Sequence, residues 1–239
     1  MALLQGFLIH SCKIQEIAWR YRVSYYYNIN LSVFTPMDAS KPALWFDMDG
    51  TTFDFQTPLM ELMKNTPTLP KKFIEIIENT NNWKKIALWD LWDWSDDERK
   101  EIQNIIEPLY QNIEFFKWLK PYPWIVDLIH SLEEDFDIYF CTKPSKKDCW
   151  SESVKRTSII TYFGEKYSQR VLMQHDKTMA TLDILVDDNP HIHWRNKKNG
   201  RKPTWIQFLV DQPHNQDSDL PRLYLDRLDL WKWQLLKIV

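Results

Sequence analysis

The stretch ALWFDMDGT, residues 43–51, places a short apolar run directly before an acidic loop that contains glycine. Oxygen-bearing side chains follow two further apolar runs in the same way. The three runs and their exits are residues 43–46 with Asp47 and Asp49, residues 138–141 with Thr142, and residues 184–186 with Asp187 and Asp188. Short apolar runs separated by helix-like stretches, such as residues 124–134, are typical of parallel strands covered on both faces. With a fourth run at 205–210, the pattern predicts an α/β fold with a doubly wound parallel sheet.

The regions outside these runs predict how the chain is divided. Residues 1–36 carry three basic residues against one acid and show no clear periodicity, which indicates an appended segment that ends before Met37. Residues 56–122 are too many for a loop, and their apolar residues have helical spacing. We therefore expect a small helical cap at 56–122, inserted after the first strand of a core formed by 37–55 and 123–239.

The composition excludes several classes of protein. With 239 residues, 44% of them hydrophobic and 26% charged, the chain can bury a sizeable core and is not disordered. Its net charge of -3 gives no electrostatic case for binding nucleic acid, and no run approaches the roughly 20 apolar residues of a membrane helix. Three cysteines without a C-x-x-C pair indicate a reducing compartment, so a soluble, cytoplasmic protein is expected. The four glycines are too scattered for a dinucleotide-binding fingerprint or a P-loop.

The polar strand exits predict a functional site. Because the carboxyl ends of parallel strands form one edge of a sheet, where ligands bind, the exit carboxylates and the Thr142 hydroxyl are expected to meet. Unpaired carboxylates repel one another, so such a cluster requires a cation, and oxygen-only donors suit Mg²⁺, which in turn favours a phosphate ligand. Each exit taken alone is an ordinary turn sequence, but the coincidence of three exits favours a site. A calcium loop of the EF-hand type is excluded, because the loop from Asp47 lacks the required glycine and glutamate.

In their order and residue types, these motifs resemble the haloacid dehalogenase-like phosphatases. The four motifs of that superfamily would be Asp47–Thr51, Thr142, Lys177 and the pair Asp187-Asp188. Within it, the chain is similar to the 5'(3')-deoxyribonucleotidases. The matching stretches are FDMDGTTFDF at 46–55, Phe115-Phe116 through Pro121-Tyr-Pro123, CTKP at 141–144, and DKT at 176–178 with the paired acids ten and eleven residues after the lysine. The resemblance covers residues 43 to about 190 and implies a Rossmann-like core.

The resemblance also implies a role for each site residue. Asp47 would be the nucleophile and Asp49 the general acid and base. Mg²⁺ would be held by Asp47, the backbone carbonyl of Asp49 and Asp188, with Asp187 in support. Thr142 and the amine of Lys177 would bind the phosphoryl group.

Two further lysines are candidates for phosphate binding. Lys155 lies thirteen residues after Thr142, where related nucleotidases place a second lysine, but the family's Glu-Lys-Tyr triplet occurs instead at 165–167. Lys143 stands where the family commonly has serine, and it either adds a cation to the site or faces solvent.

Aromatic residues are concentrated in and beside the predicted cap. Six of the thirteen tryptophans lie there, namely Trp83, Trp89, Trp92, Trp94, Trp118 and Trp124. We expect most of them to pack in a core, since aromatic side chains dominate cores. By resemblance, Phe55, Phe115 and Phe116 are expected to form a pocket for the base. The basic run at 195–202, His191 and His193 are expected in solvated loops.

The sequence therefore predicts a Mg²⁺-dependent phosphatase of (deoxy)ribonucleoside monophosphates that acts through an aspartyl-phosphate intermediate. The deoxyribonucleotide comes from the resemblance alone. A nucleoside monophosphate is the expected partner, nucleic acid and membrane are not expected, and a homodimer is left open. Two alternatives remain: a phosphatase of another small phosphoester or of a nucleic-acid end, and a non-catalytic binding protein with the same fold.

Overall fold

The structure, a computed structural model, describes residues 40–79, 95–144, 150–192 and 203–237. Several predicted features lie outside the described residues: the appended segment at 1–36, Trp83, Trp89, Trp92 and Trp94, His193, and the basic run at 195–202. The linker is described from Ser40 onward, where the chain approaches its first strand.

The described residues form six strands, seven α-helices and three 3₁₀ turns. The strands are β1 Ala43–Phe46, β2 Asp137–Thr142, β3 Val171–Met173, β4 Ile184–Asp187, β5 Ile206–Val210 and β6 Arg222–Leu223. The helices are α1 Gln56–Lys64, α2 Lys71–Asn79, α3 Asp96–Tyr110, α4 Ile113–Trp118, α5 Ile125–Leu132, α6 Ser151–Phe163 and α7 Leu228–Leu236. The 3₁₀ turns are Glu165–Tyr167, Lys177–Met179 and Pro213–Asn215. Among these described helices, none is both long and apolar enough to cross a membrane.

The strands form one sheet in the order β3-β2-β1-β4-β5-β6, and all neighbouring strands are parallel. Every residue of β1, β2 and β4 is buried, as expected for parallel strands covered on both faces. Right-handed crossovers in this order place the connections toward β2 and β3 on one face and those toward β4 on the other, so the sheet is doubly wound. The predicted α/β fold is thereby confirmed. The strand order reverses between β1 and β4, and the carboxyl ends of these two strands form the switch point where ligands bind.

The helices α1 to α4 lie between β1 and α5 in the chain. α1 buries Leu59, Met60 and Met63, and these side chains join the same apolar core as the strands. A capping box begins α3: Ser95 Oγ accepts from the Glu98 N–H, and the Glu98 carboxylate accepts from the Ser95 N–H. The division of the chain into a cap at 56–122 and a separate core stays a prediction.

Two of the six tryptophans named above lie in the described part of the chain, and they differ in burial. Trp118 is 62% exposed, so the expectation that it packs in a core is wrong for this residue, which ends the short helix α4. Trp124 is partly buried: it stacks on Tyr122 with ring centroids 5.6 Å apart and meets the edge of Trp231 at 5.4 Å.

Glu133, at the end of α5, has a shifted pKa, so we expect its carboxylate to make part of the unfolding free energy depend on pH. Burial opposes its charge, but hydrogen bonds from Lys166, Tyr167 and His130 outweigh burial and lower the pKa of Glu133 to about 2. Since this pKa lies below the value of about 4.3 expected for an unfolded glutamate, the ionised form stabilises the fold above that pH. The stabilisation is lost as the pH falls toward 2.

We expect Glu133→Gln to lower the melting temperature by about 3 °C at pH 7, since a partly exposed pair contributes about 1 kcal/mol or less. The difference from wild type should shrink as the pH is lowered from about 5 to about 3. Thermal melts followed by circular dichroism measure it. Glu134→Gln, whose side chain is 84% exposed, is the matched control and should change little at any pH.

Candidate active site

Asp47 leaves β1 at the switch point, and a tight loop fixes its position. Its N–H donates to the carbonyl of Val186 on β4 (2.8 Å), and Thr52 Oγ1 donates to its carbonyl (2.5 Å). Gly50 reverses the loop with a φ of +79°, in the left-handed region that favours glycine. The nucleophile candidate is therefore held by the neighbouring strand and by its own loop.

Asp47, Asp187 and Asp188 form a buried acid cluster in which one carboxylate oxygen of each lies within 4.8 Å of the others. The parallel pairing of β1 with β4 brings these distant residues together. Burial raises the pKa of Asp47 to about 7, with repulsion from Asp187 and Asp49 adding to the effect and Lys177 opposing it. Burial also raises the pKa of Asp187. Ionising all three acids at once is therefore costly unless cations are near.

Lys177 supplies a positive charge to this acid cluster. The 3₁₀ turn that presents it is capped by Asp176, whose Oδ1 accepts from the N–H (3.1 Å) and the hydroxyl (2.6 Å) of Thr178. Lys177 Nζ contacts Asp47 Oδ1 and donates to Asp187 Oδ2 at 2.5 Å. Burial opposes the charge of Lys177, but the two carboxylates raise its pKa above the ordinary range. The amine therefore stays protonated between the two acids.

A second lysine, which is buried, joins the exits of β1 and β2. Lys155 of α6 is 3% exposed, and its Nζ donates to Asp49 Oδ2 (2.5 Å), to Thr142 Oγ1 (2.9 Å) and to the carbonyl of Lys143 (3.1 Å). The side chain of Lys143 itself is exposed. Thus the structure brings Asp49, Thr142 and Lys155 together beside the acid cluster.

The alternative lysine, Lys166, lies in a different place. It belongs to the 3₁₀ turn Glu165–Tyr167, and both Lys166 and Tyr167 donate to the carboxylate of Glu133. Of the two lysines considered from the sequence, the structure places Lys155 at Asp49, beside the acid cluster, and Lys166 at Glu133.

The three predicted pocket phenylalanines pack against one another close to Lys155. Ring centroids are 5.1 Å apart for Phe55 and Phe115 and 5.6 Å apart for Phe115 and Phe116. Phe116 continues the aromatic cluster to Trp150 at 5.8 Å, and Lys155 Nζ lies 5.3 Å from the centre of its ring. An apolar wall therefore stands next to the lysine that contacts Asp49.

The acid cluster fits a divalent metal ion. Lys177 contacts Asp47 and Asp187, whereas the carboxylate of Asp188 lies near Gly50 and His214. Three buried carboxylates against one ammonium group leave an excess of negative charge, and carboxylate oxygens are the donors that Mg²⁺ prefers. Asp47 and Asp188 are the residues with which such an ion fits best, because both carboxylate oxygens of Asp187 are engaged, Oδ2 by Lys177 and Oδ1 by the N–H of Asn189 (2.8 Å), whereas Lys177 contacts Oδ1 of Asp47.

Sequence reasoning missed a group of side chains that follow β5. Gln212 Nε2 donates to the carbonyl of Gly50 (2.9 Å), and Asn215 Nδ2 donates to the carbonyl of Asp188 (2.9 Å). The imidazole of His214 lies between Asp188 and Gln56. A signal was present, because residues 205–210 form a fourth apolar run and polar residues follow it as they follow the other three.

The position of Gly50 leads to a prediction about the acid cluster. A β-carbon at this position would lie 2.5 Å from Asp188 Oδ2, so Gly50→Ala must displace that carboxylate and also strain a positive φ. We expect the variant to lose about 1–2 kcal/mol of unfolding free energy and to bind Mg²⁺ at least about tenfold more weakly. Urea unfolding and calorimetric Mg²⁺ titration measure the two effects.

Gly164→Ala is the matched control for Gly50→Ala. Gly164 also has a positive φ, +103°, but among the described residues no atom outside its chain neighbours lies within 4 Å of the β-carbon that alanine would add. It should lose stability without losing Mg²⁺ affinity. Equal Mg²⁺ affinities of Gly50→Ala and wild type would contradict a metal site at Asp188.

The fold and the site together define a class. A parallel α/β sheet with Asp47 after β1, Thr142 at the end of β2, Lys177 before β4 and the pair Asp187-Asp188 at the end of β4 has the motif order of the haloacid dehalogenase-like phosphatases. A solved structure of this kind, a haloacid dehalogenase-like hydrolase of Streptococcus pneumoniae, aligns over 84% of this chain and 99% of that chain, with a TM-score of 0.45 and 15% identity. No family model matches the chain.

The particular relatives are deoxyribonucleotidases. The mitochondrial 5'(3')-deoxyribonucleotidase of Homo sapiens is 27% identical over 194 residues, which cover 78% of this chain and 78% of that protein. The cytosolic type of the same organism is 24% identical over 139 residues, covering 56% of this chain and 67% of that protein. These comparisons confirm the resemblance inferred from the motifs.

Proposed function

We propose that this protein is a Mg²⁺-dependent phosphatase that hydrolyses (deoxy)ribonucleoside monophosphates to nucleoside and phosphate. The observation that carries the proposal is the meeting, at the switch point, of the acid cluster with Asp49, the buried Lys155 and the partly buried Lys177. Carboxylates that are buried beside lysines can attack or bind a phosphate while its charge is offset. A non-catalytic binding protein has no physical need for such a costly arrangement.

Each residue of the site has a role in the proposed reaction. Asp47 attacks phosphorus, the bond from phosphorus to the nucleoside oxygen breaks, and an aspartyl-phosphate forms. Asp49 gives a proton to the leaving oxygen and then takes one from the water that attacks the phosphoryl group and releases Asp47. Lys155, which contacts Asp49 and Thr142, donates to the phosphate oxygens of the substrate. Lys177 offsets the negative charge of Asp47 and Asp187.

The metal ion would be Mg²⁺, held by Asp47, Asp188 and the backbone carbonyl of Asp49, with Asp187 in support. When bound, it offsets the repulsion between the substrate dianion and the attacking carboxylate. The oxygen-only donor set supports this choice.

The nucleoside would be received by the phenylalanine cluster under a helical cap. Phe55, which is partly exposed, provides aromatic surface on which a base can stack. The buried rings of Phe115 and Phe116 pack against it, and Phe116 lies beside Lys155. The relatives described above are 5'(3')-deoxyribonucleotidases, which supports deoxyribonucleoside 5'-monophosphates as the first substrates to test. A cytoplasmic location, the one named for the cytosolic relative, and a homodimer stay predictions.

The test is phosphate release by the full chain from a panel of phosphoesters. The panel contains ribo- and deoxyribonucleoside 5'- and 3'-monophosphates, sugar phosphates and 5'-phosphorylated oligonucleotides, each with Mg²⁺ or with EDTA. We expect Mg²⁺-dependent release from deoxyribonucleoside monophosphates, with kcat/KM at least about tenfold above the sugar phosphates because the base adds contacts.

Each other outcome contradicts a named part of the proposal. Phosphate release from sugar phosphates or oligonucleotides alone would show that the protein is a phosphatase but not a nucleotidase. Release that persists in EDTA would exclude the metal ion. No release from any substrate by folded protein would support the binding-protein alternative.

A further inference from the structure

His214 occupies a buried position between the acid cluster and α1. Its side chain is fully buried, in the 3₁₀ turn Pro213–Asn215 that follows β5. Its Nε2 lies 3.1 Å from Asp188 Oδ2 and 3.1 Å from the Asp188 carbonyl oxygen. On the other side of the ring, Nδ1 lies 3.2 Å from Nε2 of Gln56, the first residue of α1.

These partners define one tautomer of the ring. Both atoms of Asp188 that face Nε2 are acceptors, so Nε2 carries the proton and donates to Asp188. Nδ1 is then an acceptor, and the amide group of Gln56 donates to it. The neutral imidazole thereby satisfies both sides with a single proton.

Asn215 in the same turn, and Gln212 just before it, bond the loops that follow β4 and β1. Asn215 Nδ2 donates to the carbonyl of Asp188 (2.9 Å) and to that of Val210 (2.8 Å), which ties the exit of β4 to the end of β5. Gln212 Nε2 donates to the carbonyl of Gly50 and so reaches the loop that follows Asp47. The turn thus contacts both loops that carry the proposed metal ligands.

We propose that His214 is a positioning residue that orients the carboxylate of Asp188 for the metal ion, with its tautomer fixed by Gln56. The inference rests on the function proposed above. By holding Oδ2, His214 removes one rotational freedom of the carboxylate and leaves the other oxygen for a cation. Side chains that orient metal ligands in this way commonly raise metal affinity by about 10–100-fold. Because Gln56 begins α1, the same contact ties α1 to the metal-binding edge.

The first test is calorimetric titration of the metal-free full chain with Mg²⁺ and, separately, with Mn²⁺. We expect His214→Leu to weaken binding of both ions by about 10–100-fold. His214→Gln should recover most of this loss, because the glutamine amide can place an N–H donor near the position of Nε2. His130→Leu is the matched control: His130 lies on α5 and bonds Glu133, so its removal should leave metal affinity unchanged.

The second test is a direct readout of the tautomer. Long-range ¹H–¹⁵N spectra of the imidazoles, with the His214 signals assigned by their loss in His214→Gln, should show a neutral ring protonated at Nε2. Gln56→Leu removes the donor to Nδ1, so the spectrum should change toward a mixture of tautomers and metal affinity should fall by about threefold or more. A ring protonated at Nδ1 in wild type would overturn the inference, as would wild-type metal affinity in folded His214→Leu. If His214→Leu does not fold, the inference is tested by the metal affinities of His214→Gln and Gln56→Leu and by the tautomer of the wild-type ring.

Failure of this inference is distinguishable from failure of the proposed function. Asp188→Asn should abolish Mg²⁺ binding and phosphate release if the metal site is correct. If it does so while folded His214→Leu binds the ion like wild type, only the positioning role is overturned. If wild type neither binds Mg²⁺ nor releases phosphate, both proposals fall.

Discussion

The Asp47→Asn variant is expected to lose phosphate release by about 10⁴-fold or more, because an amide cannot attack phosphorus as a carboxylate does. The variant should stay folded, since asparagine keeps the shape of the side chain and removes one acid from a buried cluster of three. Phosphate release from the most active deoxyribonucleotide measures the loss, and circular dichroism checks the fold. Asp135→Asn is the matched control: Asp135 precedes β2, at the sheet edge opposite to the site, and pairs with Lys232. It should keep wild-type activity.

A competing alcohol would show whether an aspartyl-phosphate lies on the pathway. A covalent intermediate on Asp47 has already lost the nucleoside, so its partition between water and methanol should be the same for every nucleotide that forms it. We expect a constant ratio of methyl phosphate to inorganic phosphate across the panel of substrates. A ratio that varies with the leaving nucleoside, or retained activity in Asp47→Asn, would indicate direct attack by water and exclude Asp47 as the nucleophile.

The sequence predicted the parts of the fold that depend on continuous burial. The run at 43–46 is β1, and the runs at 138–141, 184–186 and 205–210 lie within one residue of β2, β4 and β5. β3 and β6 were not predicted, because strands of three and two residues are too short to show a pattern of their own. They are formed by pairing with neighbours that are distant in sequence.

The site was predictable where a rule of topology connects distant residues, and it was missed where side chains had to be placed individually. Thr142 and Asp187 end their strands and Asp47 directly follows β1, so the parallel sheet alone brings them to one edge. Lys155 was uncertain, because its contact with Asp49 depends on the rotation of α6 about its axis. His214 was missed because its importance depends on the exact path of the turn after β5.

Removal of the Lys177 amine should cost stability as well as activity. Lys177→Met keeps most of the length of the side chain but leaves Asp47 and Asp187 buried without their shared cation. Breaking one partner out of a buried charge pair costs about 3–5 kcal/mol, so we expect a loss of about 3 kcal/mol in the urea unfolding free energy. Phosphate release should fall by about 10³-fold, because a charge beside the reacting group is lost. Mg²⁺ should reduce the stability deficit relative to EDTA, since a bound cation offsets part of the same repulsion.

Two further variants test whether the loss of unfolding free energy in Lys177→Met comes from unpaired charge. The double variant Lys177→Met/Asp187→Asn should be more stable than Lys177→Met alone, because it also removes one of the two uncompensated carboxylates. Lys117→Met, at a lysine whose side chain is 51% exposed and pairs with Glu114 on the surface, should change stability by about 0.5 kcal/mol or less. A double variant that is less stable than Lys177→Met would mean that Lys177 stabilises the fold by packing, and the acid cluster would then not depend on it for its charge balance.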